Sequence, residues 1–186
     1  MTEQLGELLD LLRTRSLRRG DFVLASGRRS TYYIDCRLTT MSGQGQRLIG
    51  ALGLELLDRQ GWAPQLVGGL TLGADPVAYA LAHAAALAGR ALDGFTVRKE
   101  AKAHGTARLI EGAELANREV VVVEDVITTG GSALQAIAAV QAAGGRVLGV
   151  LAVMDRNEGG RARLEVEGWS VLSLTTADEL LGKDQG

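Results

Sequence analysis

The segment from Val120 to Ala133, with the sequence VVVVEDVITTGGSA, constrains the fold of this chain more than any other. Four consecutive valines form a short apolar run, which is typical of a strand buried on both faces of a parallel sheet. Two adjacent carboxylates, Glu124 and Asp125, follow the valines, and then come small hydroxyl residues, glycines and an alanine-rich stretch. This order of strand, acid pair, loop and helix indicates an α/β fold with a ligand site where the strand ends.

The loop after the acid pair has the composition of a phosphate cradle. Its backbone amides and the hydroxyls of Thr128, Thr129 and Ser132 can donate to a phosphate at the positive end of the helix dipole. The two carboxylates can accept from the vicinal hydroxyls of a ribose. No lysine follows the glycines and the spacing is not GxGxxG, so the loop matches neither a P-loop nor a dinucleotide fingerprint. The alternative is an ordinary strand-to-helix turn, which would not require two acids and three hydroxyls.

Composition excludes several classes of protein. The 186 residues suit one domain, and 46% apolar residues with a net charge of −2 argue against disorder and against nucleic acid as a partner. The single cysteine, Cys36, excludes an internal disulfide and fits a reducing compartment. Residues 1–13 lack the pattern of a signal peptide, and no apolar stretch approaches the ~20 residues that span a bilayer. We therefore expect a cytoplasmic protein without a membrane segment.

The apolar pattern predicts alternating strands and helices from residue 44 onward, and hence a central, mostly parallel sheet flanked by helices. Predicted helices cover residues 3–19, 43–60, 76–88 and 131–143, and Gly20 is expected to end the first. Predicted strands cover residues 22–24, 31–35, 66–70, 95–97, 120–123, 146–153 and 170–174. We expect one domain of residues 1–186, with a core at about 41–160 and a hood formed by about residues 1–40 and the C-terminal segment.

Residues 98–108 have the composition of a mobile lid. They carry cationic or titratable donors but no large apolar side chain, so they have little to bury in the free protein. Such a segment beside a phosphate site could close over a diphosphate and neutralise the charge of a leaving group. The chain has seventeen arginines and only three lysines, and two of the lysines lie here. A solvated charged loop is the alternative. The donors that we assign to this task are Arg98, Lys99, Lys102 and His104.

Two other segments follow predicted strands. The loop Thr71–Asp75 is a second nest of backbone amides suited to a diphosphate, although glycine after a strand is a weak signal. Arg156 follows the strand of residues 146–153, where a guanidinium can hold a planar carboxylate in a bidentate contact. From the local sequence, a structural ion pair with Asp155 or Glu158 is an equally good interpretation of this arginine. No His/Cys cluster has the spacing of a metal site.

Four segments, in this order, resemble the orotate phosphoribosyltransferases, a branch of the type I phosphoribosyltransferases. Residues 22–37 resemble the family's N-terminal signature and residues 97–106 its catalytic loop. Residues 120–132 resemble its loop for 5-phosphoribosyl-1-diphosphate (PRPP), and residues 153–160 its segment for the orotate carboxylate. The PRPP loop is specific only to the superfamily, whereas the catalytic loop and the Asp155–Arg156 segment are typical of the orotate branch.

The resemblance implies the type I fold and the transfer of ribose 5-phosphate from PRPP to orotate, giving orotidine 5′-monophosphate and pyrophosphate in pyrimidine biosynthesis. It implies Mg²⁺ held mainly by the ligand and water, and a homodimer that shares its lids between subunits. It implies Lys102 and Asp125 as catalytic residues. The residues implied at orotate are Tyr33, Ile34, Thr128 and Arg156. The residues implied at PRPP are Arg98, Lys99, Lys102, His104, Glu124, Asp125, Val126, Ile127, Thr128, Thr129, Gly130, Gly131 and Ser132.

Some family members carry a lysine at the position of Ala25 and another in the loop matched by Thr71–Asp75, and this chain has neither. Two other functions are weighed against the orotate interpretation. A purine or uracil phosphoribosyltransferase would have no use for an arginine at a base carboxylate. A PRPP-sensing regulator of transcription or RNA would carry a DNA-binding domain or a basic face, and the net charge of −2 does not favour it.

Overall fold

A computed structural model describes residues 2–23, 27, 29–100 and 109–182. The helices within these residues are α1 (Thr2–Arg15), α2 (Arg37–Thr40), α3 (Gly43–Gln60), α4 (Ala74–Leu87), α5 (Gly131–Ala142), α6 (Gly160–Val166) and α7 (Ala177–Leu181). The strands are β1 (Leu17–Val23), β2 (Arg29–Ile34), β3 (Leu66–Leu70), β4 (Asp93–Val97), β5 (Ile110–Gly112), β6 (Glu119–Ile127), β7 (Arg146–Asp155) and β8 (Val171–Thr176).

A six-stranded sheet with the order β5-β4-β3-β6-β7-β8 forms the centre of the protein. Its strands pair in parallel, except that β5 is antiparallel to β4. β6 lies between β3 and β7, and its four valines are 0% exposed. Val121 and Val123 face the core made by α1, α3 and α4, whereas Val120 and Val122 face the core made with α5. The predicted sheet, mostly parallel and covered on both faces, is therefore confirmed.

The N-terminal region differs from the prediction. α1 ends at Arg15 rather than at residue 19, and the residues from Leu17 onward form β1, which pairs with β2 in a separate antiparallel sheet. Strand pairing satisfies the backbone groups of these residues and overrides their helical pattern. Gly20 does not end the helix but lies inside β1, in the irregular stretch of pairing between Arg19 and Phe22.

The first helix shares the core of the central sheet. Leu8 and Leu12 are 0% exposed and belong to the same apolar cluster as Leu48 and Leu52 of α3. Arg13 Nε also donates to the carbonyl oxygen of Leu180 in α7 at 3.1 Å, so α1 contacts the last described helix as well. In the part of the chain that the structure describes, no helix is long and apolar enough to cross a membrane.

Other differences concern strand ends and short elements. β6 continues to Ile127 rather than ending at Val123, so the acid pair lies within the strand, and β7 continues to Asp155. Parallel pairing of these two ends, as far as Ile127 opposite Asp155, explains the extra length. The sequence did not predict α2, α6, α7 and β5. Each has seven residues or fewer, which is too short for a periodic pattern.

Candidate active site

Three loops follow neighbouring parallel strands and therefore meet at one edge of the sheet. Residues 71–73 follow β3, residues 128–130 follow β6, and residues 156–159 follow β7. The carboxyl ends of parallel strands are where open α/β sheets bind their ligands. The sequence-predicted segments for diphosphate, phosphate and carboxylate thus lie beside one another.

The predicted phosphate-binding loop surrounds the start of α5. Glu124 and residues 126–133 line a small cavity of about 30 Å³, which opens at the N-terminus of this helix. Gly130 has a φ of 75°, a left-handed conformation that glycine adopts without strain. Amides of a glycine-rich loop at a helix N-terminus suit an anion. Residues 128–132 are called the phosphate cradle below.

The segment after β7 supports the phosphate cradle from behind. A Cβ atom added to Gly160 would lie 2.5 Å from the carbonyl oxygen of Thr128 and 2.8 Å from the amide nitrogen of Gly130. Arg163 Nη1 donates to the carbonyl oxygen of Thr129 at 3.2 Å. The sequence interpretation did not single out Gly160 or Arg163, and the only signal for them was the Gly159–Gly160 pair after the carboxylate-binding segment.

The acid pair lies beside the cradle, with Glu124 buried and Asp125 partly buried. Glu124 is 5% exposed, and its Oε1 has no hydrogen-bond partner among the described residues. Burial, together with the negative charge of Asp125, raises the pKa of Glu124 to about 8. Burial also raises the pKa of Asp125, although its Oδ1 accepts from the amide of Val126 at 2.9 Å. Hydroxyl donors from a bound sugar would satisfy both carboxylates.

The loop Thr71–Asp75 reaches this acid pair. A Cβ atom added to Gly73 would lie 2.5 Å from Oδ1 of Asp125, so the loop backbone passes directly against the carboxylate. Asp75 stabilises the loop by accepting from the hydroxyls of Thr71 at 2.7 Å and Thr96 at 2.8 Å. The loop Thr71–Asp75 and the acid pair before the phosphate cradle, which the sequence indicated separately, are therefore in contact.

The described part of the predicted lid begins next to the same loop. Arg98 and Lys99 share a hollow of about 520 Å³ with Thr71. Arg98 contacts Glu111 through Nη1 at 3.5 Å, and the carbonyl oxygen of Lys99 accepts from Gln135 of α5 at 3.5 Å. These contacts attach the first lid residues to the edge strand and to the helix of the phosphate cradle. The predictions for Lys102, His104 and the rest of the lid concern residues 101–108, which lie outside the described residues.

Arg156 is held in a buried position at the third loop. Its side chain is 10% exposed, Nη2 lies 2.8 Å from Oε1 of Glu158, and Cζ lies 5.9 Å from the ring centroid of Tyr32. Its Nε is buried without a hydrogen-bond partner in the described part of the chain. Asp155 pairs instead with Arg161 at 2.7 Å. The local sequence suggested an ion pair of Arg156 with either Asp155 or Glu158, and the described residues show the pair with Glu158.

The N-terminal signature contributes an aromatic residue that the sequence interpretation missed. Side chains alternate along β2, so Tyr32 and Ile34 face inward while Tyr33 points to the other side. Tyr32 contacts Arg156, whereas Tyr33 is 39% exposed and lies 5.7 Å from Phe22, and Ile34 is buried in the core. The period-two alternation indicates that Tyr32 and Tyr33 lie on opposite faces of β2, but not which face meets the site. Ala25 lies outside the described residues.

An arginine–aspartate pair, also missed from the sequence, follows β2. Arg37 donates to both carboxylate oxygens of Asp35, at 2.9 and 3.0 Å, and these hydrogen bonds lower the pKa of Asp35. The positive charge of Arg37 also opposes the upward shift of the pKa of Asp125. Cys36 lies between Asp35 and Arg37 in the sequence and is 1% exposed. Burial raises the pKa of its thiol, so the thiol stays protonated and unreactive.

The chain is similar to known phosphoribosyltransferases. Residues 46–172 match the family model described as the phosphoribosyl transferase domain. The chain is 51% identical to the orotate phosphoribosyltransferase of Mycobacterium avium, over 92% of this chain and 94% of that protein. It is 46% identical to the Streptomyces coelicolor orotate phosphoribosyltransferase, over 89% and 90% of the two chains.

Solved structures show the same similarity. The Mycobacterium tuberculosis orotate phosphoribosyltransferase in complex with Fe(III) dicitrate superposes with a TM-score of 0.86 at 47% identity, covering 95% of this chain and 98% of that one. The same enzyme in complex with PRPP superposes with a TM-score of 0.82 at 44% identity, with the same coverage. The resemblance and the fold class predicted from the sequence are both confirmed, and the chain belongs to the orotate phosphoribosyltransferase family.

Proposed function

We propose that this chain transfers ribose 5-phosphate from PRPP to orotate, giving orotidine 5′-monophosphate and pyrophosphate, with the residues described above. The observation that carries the proposal is the meeting of the phosphate cradle, the acid pair, the loop Thr71–Asp75 and Arg156 at one edge of the sheet. Each suits a different part of the two substrates, and the family membership supports the reaction. A purine base or uracil would leave the buried Nε of Arg156 without an acceptor.

In this mechanism each segment binds one part of PRPP. The cradle, from Thr128 to Ser132 with the preceding Val126 and Ile127, binds the 5-phosphate through amides and hydroxyls. Glu124 and Asp125 accept from the ribose hydroxyls through their carboxyl oxygens, and they hold the sugar while its anomeric carbon develops oxocarbenium character. The reaction needs no carboxylate nucleophile, since catalysis comes from positioning and from stabilising the leaving diphosphate.

The lid supplies the charge for the leaving group. Arg98 and Lys99 share the hollow beside Thr71, which supports a position at the diphosphate for the start of the lid. We assign Lys102 and His104 to the same task, and Lys102 is the lysine that meets the diphosphate as charge develops on it. A lysine suits this role because its ammonium is a compact point charge on a flexible stem.

Magnesium is part of the proposal. Among the described residues, no group of three or more histidine, cysteine, aspartate or glutamate side chains is arranged to hold a metal ion. We infer that the ion is held mainly by the diphosphate and hydroxyls of PRPP and by water, as Mg²⁺ chemistry favours. When bound, the ion would offset negative charge on the diphosphate. Glu124 and Asp125 are the side chains that would add carboxylate oxygens to its ligands.

We further propose that two chains form a homodimer in which each lid serves the partner's site. Large apolar side chains are exposed on α2 and just after it, and on α4 and in the loop before it, and these two helices contact each other. They are Leu38, Met41, Leu72 and Tyr79, with exposures between 43% and 61%. Such a surface beside the loop Thr71–Asp75 would put a second chain within reach of the diphosphate. Burying it in a dimer would remove apolar area from water.

We place this enzyme in the cytoplasm, supported by its single, buried and free cysteine. We also retain one phosphoribosyltransferase domain over residues 1–186, with residues 98–108 as its lid.

The function is tested by incubating the purified protein with PRPP, Mg²⁺ and orotate and by measuring both products. The proposal expects orotidine 5′-monophosphate and pyrophosphate in equal amounts. Binding of PRPP without turnover would instead indicate a sensor.

A further inference from the structure

Arg156 is held from several sides before any substrate is present. Its backbone amide donates to the carbonyl oxygen of Ile127 at 3.0 Å, which links it to the strand that carries the acid pair. Its guanidinium lies over the ring of Tyr32, in the range of a cation–π contact. The carboxylate of Glu158 lies 2.8 Å from Nη2. With a side-chain exposure of 10%, this guanidinium has few other orientations available.

One donor of the same guanidinium is left without a partner. Nε is buried and has no hydrogen-bond acceptor among the described residues. Nε and Nη2 lie on the same edge of a guanidinium, and this edge makes bidentate contacts with carboxylates; Arg37 uses it in this way toward Asp35. Glu158 therefore occupies half of a carboxylate-binding edge and leaves the other half unsatisfied. A buried unpaired donor of this kind points to a ligand.

The neighbouring acid cannot replace Glu158. Asp155 is 1% exposed, and its two oxygens accept from Arg161 Nε at 2.7 Å and from the backbone amide of Asn157 at 2.9 Å. Arg161 also donates to Ser173 Oγ at 2.9 Å, so this pair ties the end of β7 to β8. The two ion pairs have different roles, because Asp155 fixes the backbone turn and Glu158 contacts the guanidinium of Arg156.

We propose that Glu158 is a positioning residue for the base carboxylate of the substrate. By holding Nη2 it keeps the guanidinium in one orientation and leaves Nε for the incoming carboxylate. The inference rests on the proposed function, in which Arg156 binds orotate. Misplacing a binding group by about 1 Å can cost up to about 10²-fold in rate, so an orienting contact of this kind has a measurable effect on the substrate that uses it.

The test compares Glu158→Ala with Glu158→Gln. The alanine variant loses the acceptor for Nη2, and we expect its KM for orotate to rise about tenfold while its KM for PRPP stays within about twofold. The glutamine variant keeps an acceptor oxygen, so its KM for orotate should stay within about threefold of the wild-type value. Glu167→Ala is the matched control, because Glu167 is exposed at the end of α6. It should leave both KM values unchanged.

Other results would overturn the proposal. An unchanged KM for orotate in Glu158→Ala, or equal increases for both substrates, would show that Glu158 does not position Arg156 for the base. If the KM for orotate rose equally in the glutamine variant, the negative charge of Glu158 would matter rather than its contact with Nη2 of Arg156. Arg156→Ala separates the proposed role of Arg156 at orotate from the positioning role of Glu158. If it leaves the KM for orotate unchanged, the proposed role of Arg156 fails; if it raises that KM and Glu158→Ala does not, only the present inference fails. In the Arg156→Ala background, Glu158→Ala should have no further effect.

Discussion

The backbone of Gly73 lies directly against the carboxylate of Asp125, because a Cβ atom at Gly73 would be 2.5 Å from Oδ1 and 2.9 Å from Cγ. Gly73 belongs to the loop after β3, and Asp125 lies near the end of β6. This contact joins the loop that we assign to the diphosphate with the acid that we assign to the ribose. Glycine is needed here for space rather than for conformation, since its φ of −63° and ψ of −43° suit any residue.

Gly73→Ala should therefore damage PRPP use through this contact. Asp125 cannot simply rotate away, because its Oδ1 also accepts from the amide of Val126. We expect kcat/KM for PRPP to fall at least about tenfold, as displacement of a substrate-positioning group typically causes. Gly6→Ala is the matched control, since a Cβ atom at Gly6 would meet nothing within 4 Å and α1 favours alanine over glycine. If both variants kept wild-type kinetics, the loop would not support Asp125.

The raised pKa of Glu124 predicts a dependence of stability on pH. A carboxyl whose pKa is raised from 4.5 to about 8 on folding keeps its proton more tightly in the folded state. Its contribution is fully present below the ordinary pKa and is lost as the pH rises through the folded value, at up to about 1.4 kcal/mol for each pH unit between the two pKa values. The free energy of unfolding should therefore fall between about pH 5 and about pH 9 more in the wild type than in Glu124→Gln.

Thermal or urea unfolding of both proteins at the two pH values measures this difference. Glutamine has the size of protonated glutamic acid and does not titrate, so it matches the wild type at low pH. Parallel loss of stability in the two proteins would show that the pKa of Glu124 is not raised on folding.

Lys102→Ala should lower kcat far more than it weakens PRPP binding. A lid cation that meets the diphosphate mainly as charge develops stabilises the transition state over the ground state, and losing such a contact typically costs about 10²–10³ in rate. Steady-state kinetics and PRPP titration measure the two effects separately. The control is Lys183→Ala, which removes the same side chain outside the proposed lid. A change in KM alone would contradict the assignment of Lys102.

Mixing two inactive variants tests the shared lid. If a lid cation serves the partner's site, a heterodimer of Lys102→Ala and Asp125→Asn chains carries both defects in one site and leaves the other intact. Partial recovery of activity is expected, up to about half of the wild-type activity per heterodimer. Heterodimers that form but stay inactive would contradict catalysis across subunits, and so would a fully active monomer.

The sequence predicted the centre of this protein well because its signals were strong there. The valines at 120–123 could only be buried on both faces, and α3 and β3 have the predicted bounds of 43–60 and 66–70. The prediction was wrong where pairing between distant residues decided the structure. Residues 17–19 were predicted to continue the first helix, yet they form a strand because β2 supplies backbone partners.

The candidate site also has parts that the sequence predicted and parts that it did not. The acid pair, the cradle and Arg156 were singled out because each comes shortly after an apolar run that predicts a strand. The partners of Arg156 could not be chosen, since Asp155 and Glu158 are both near it along the chain and only the position of Arg161 decides between them. Tyr32 was missed because the side of a two-stranded sheet that faces a site depends on packing and not on composition.

The most direct test of the central claim compares orotate with uracil as the acceptor, in the wild type and in Arg156→Ala. The two bases differ by the carboxylate that we assign to Arg156. We predict that wild-type kcat/KM is at least about 10³-fold higher for orotate, and that Arg156→Ala loses most of this preference while its affinity for PRPP is unchanged, because a site that binds a substrate's polar group strongly rejects an analogue that lacks it. A wild-type enzyme that uses uracil as well as orotate, or a variant that keeps the full preference, would contradict the account.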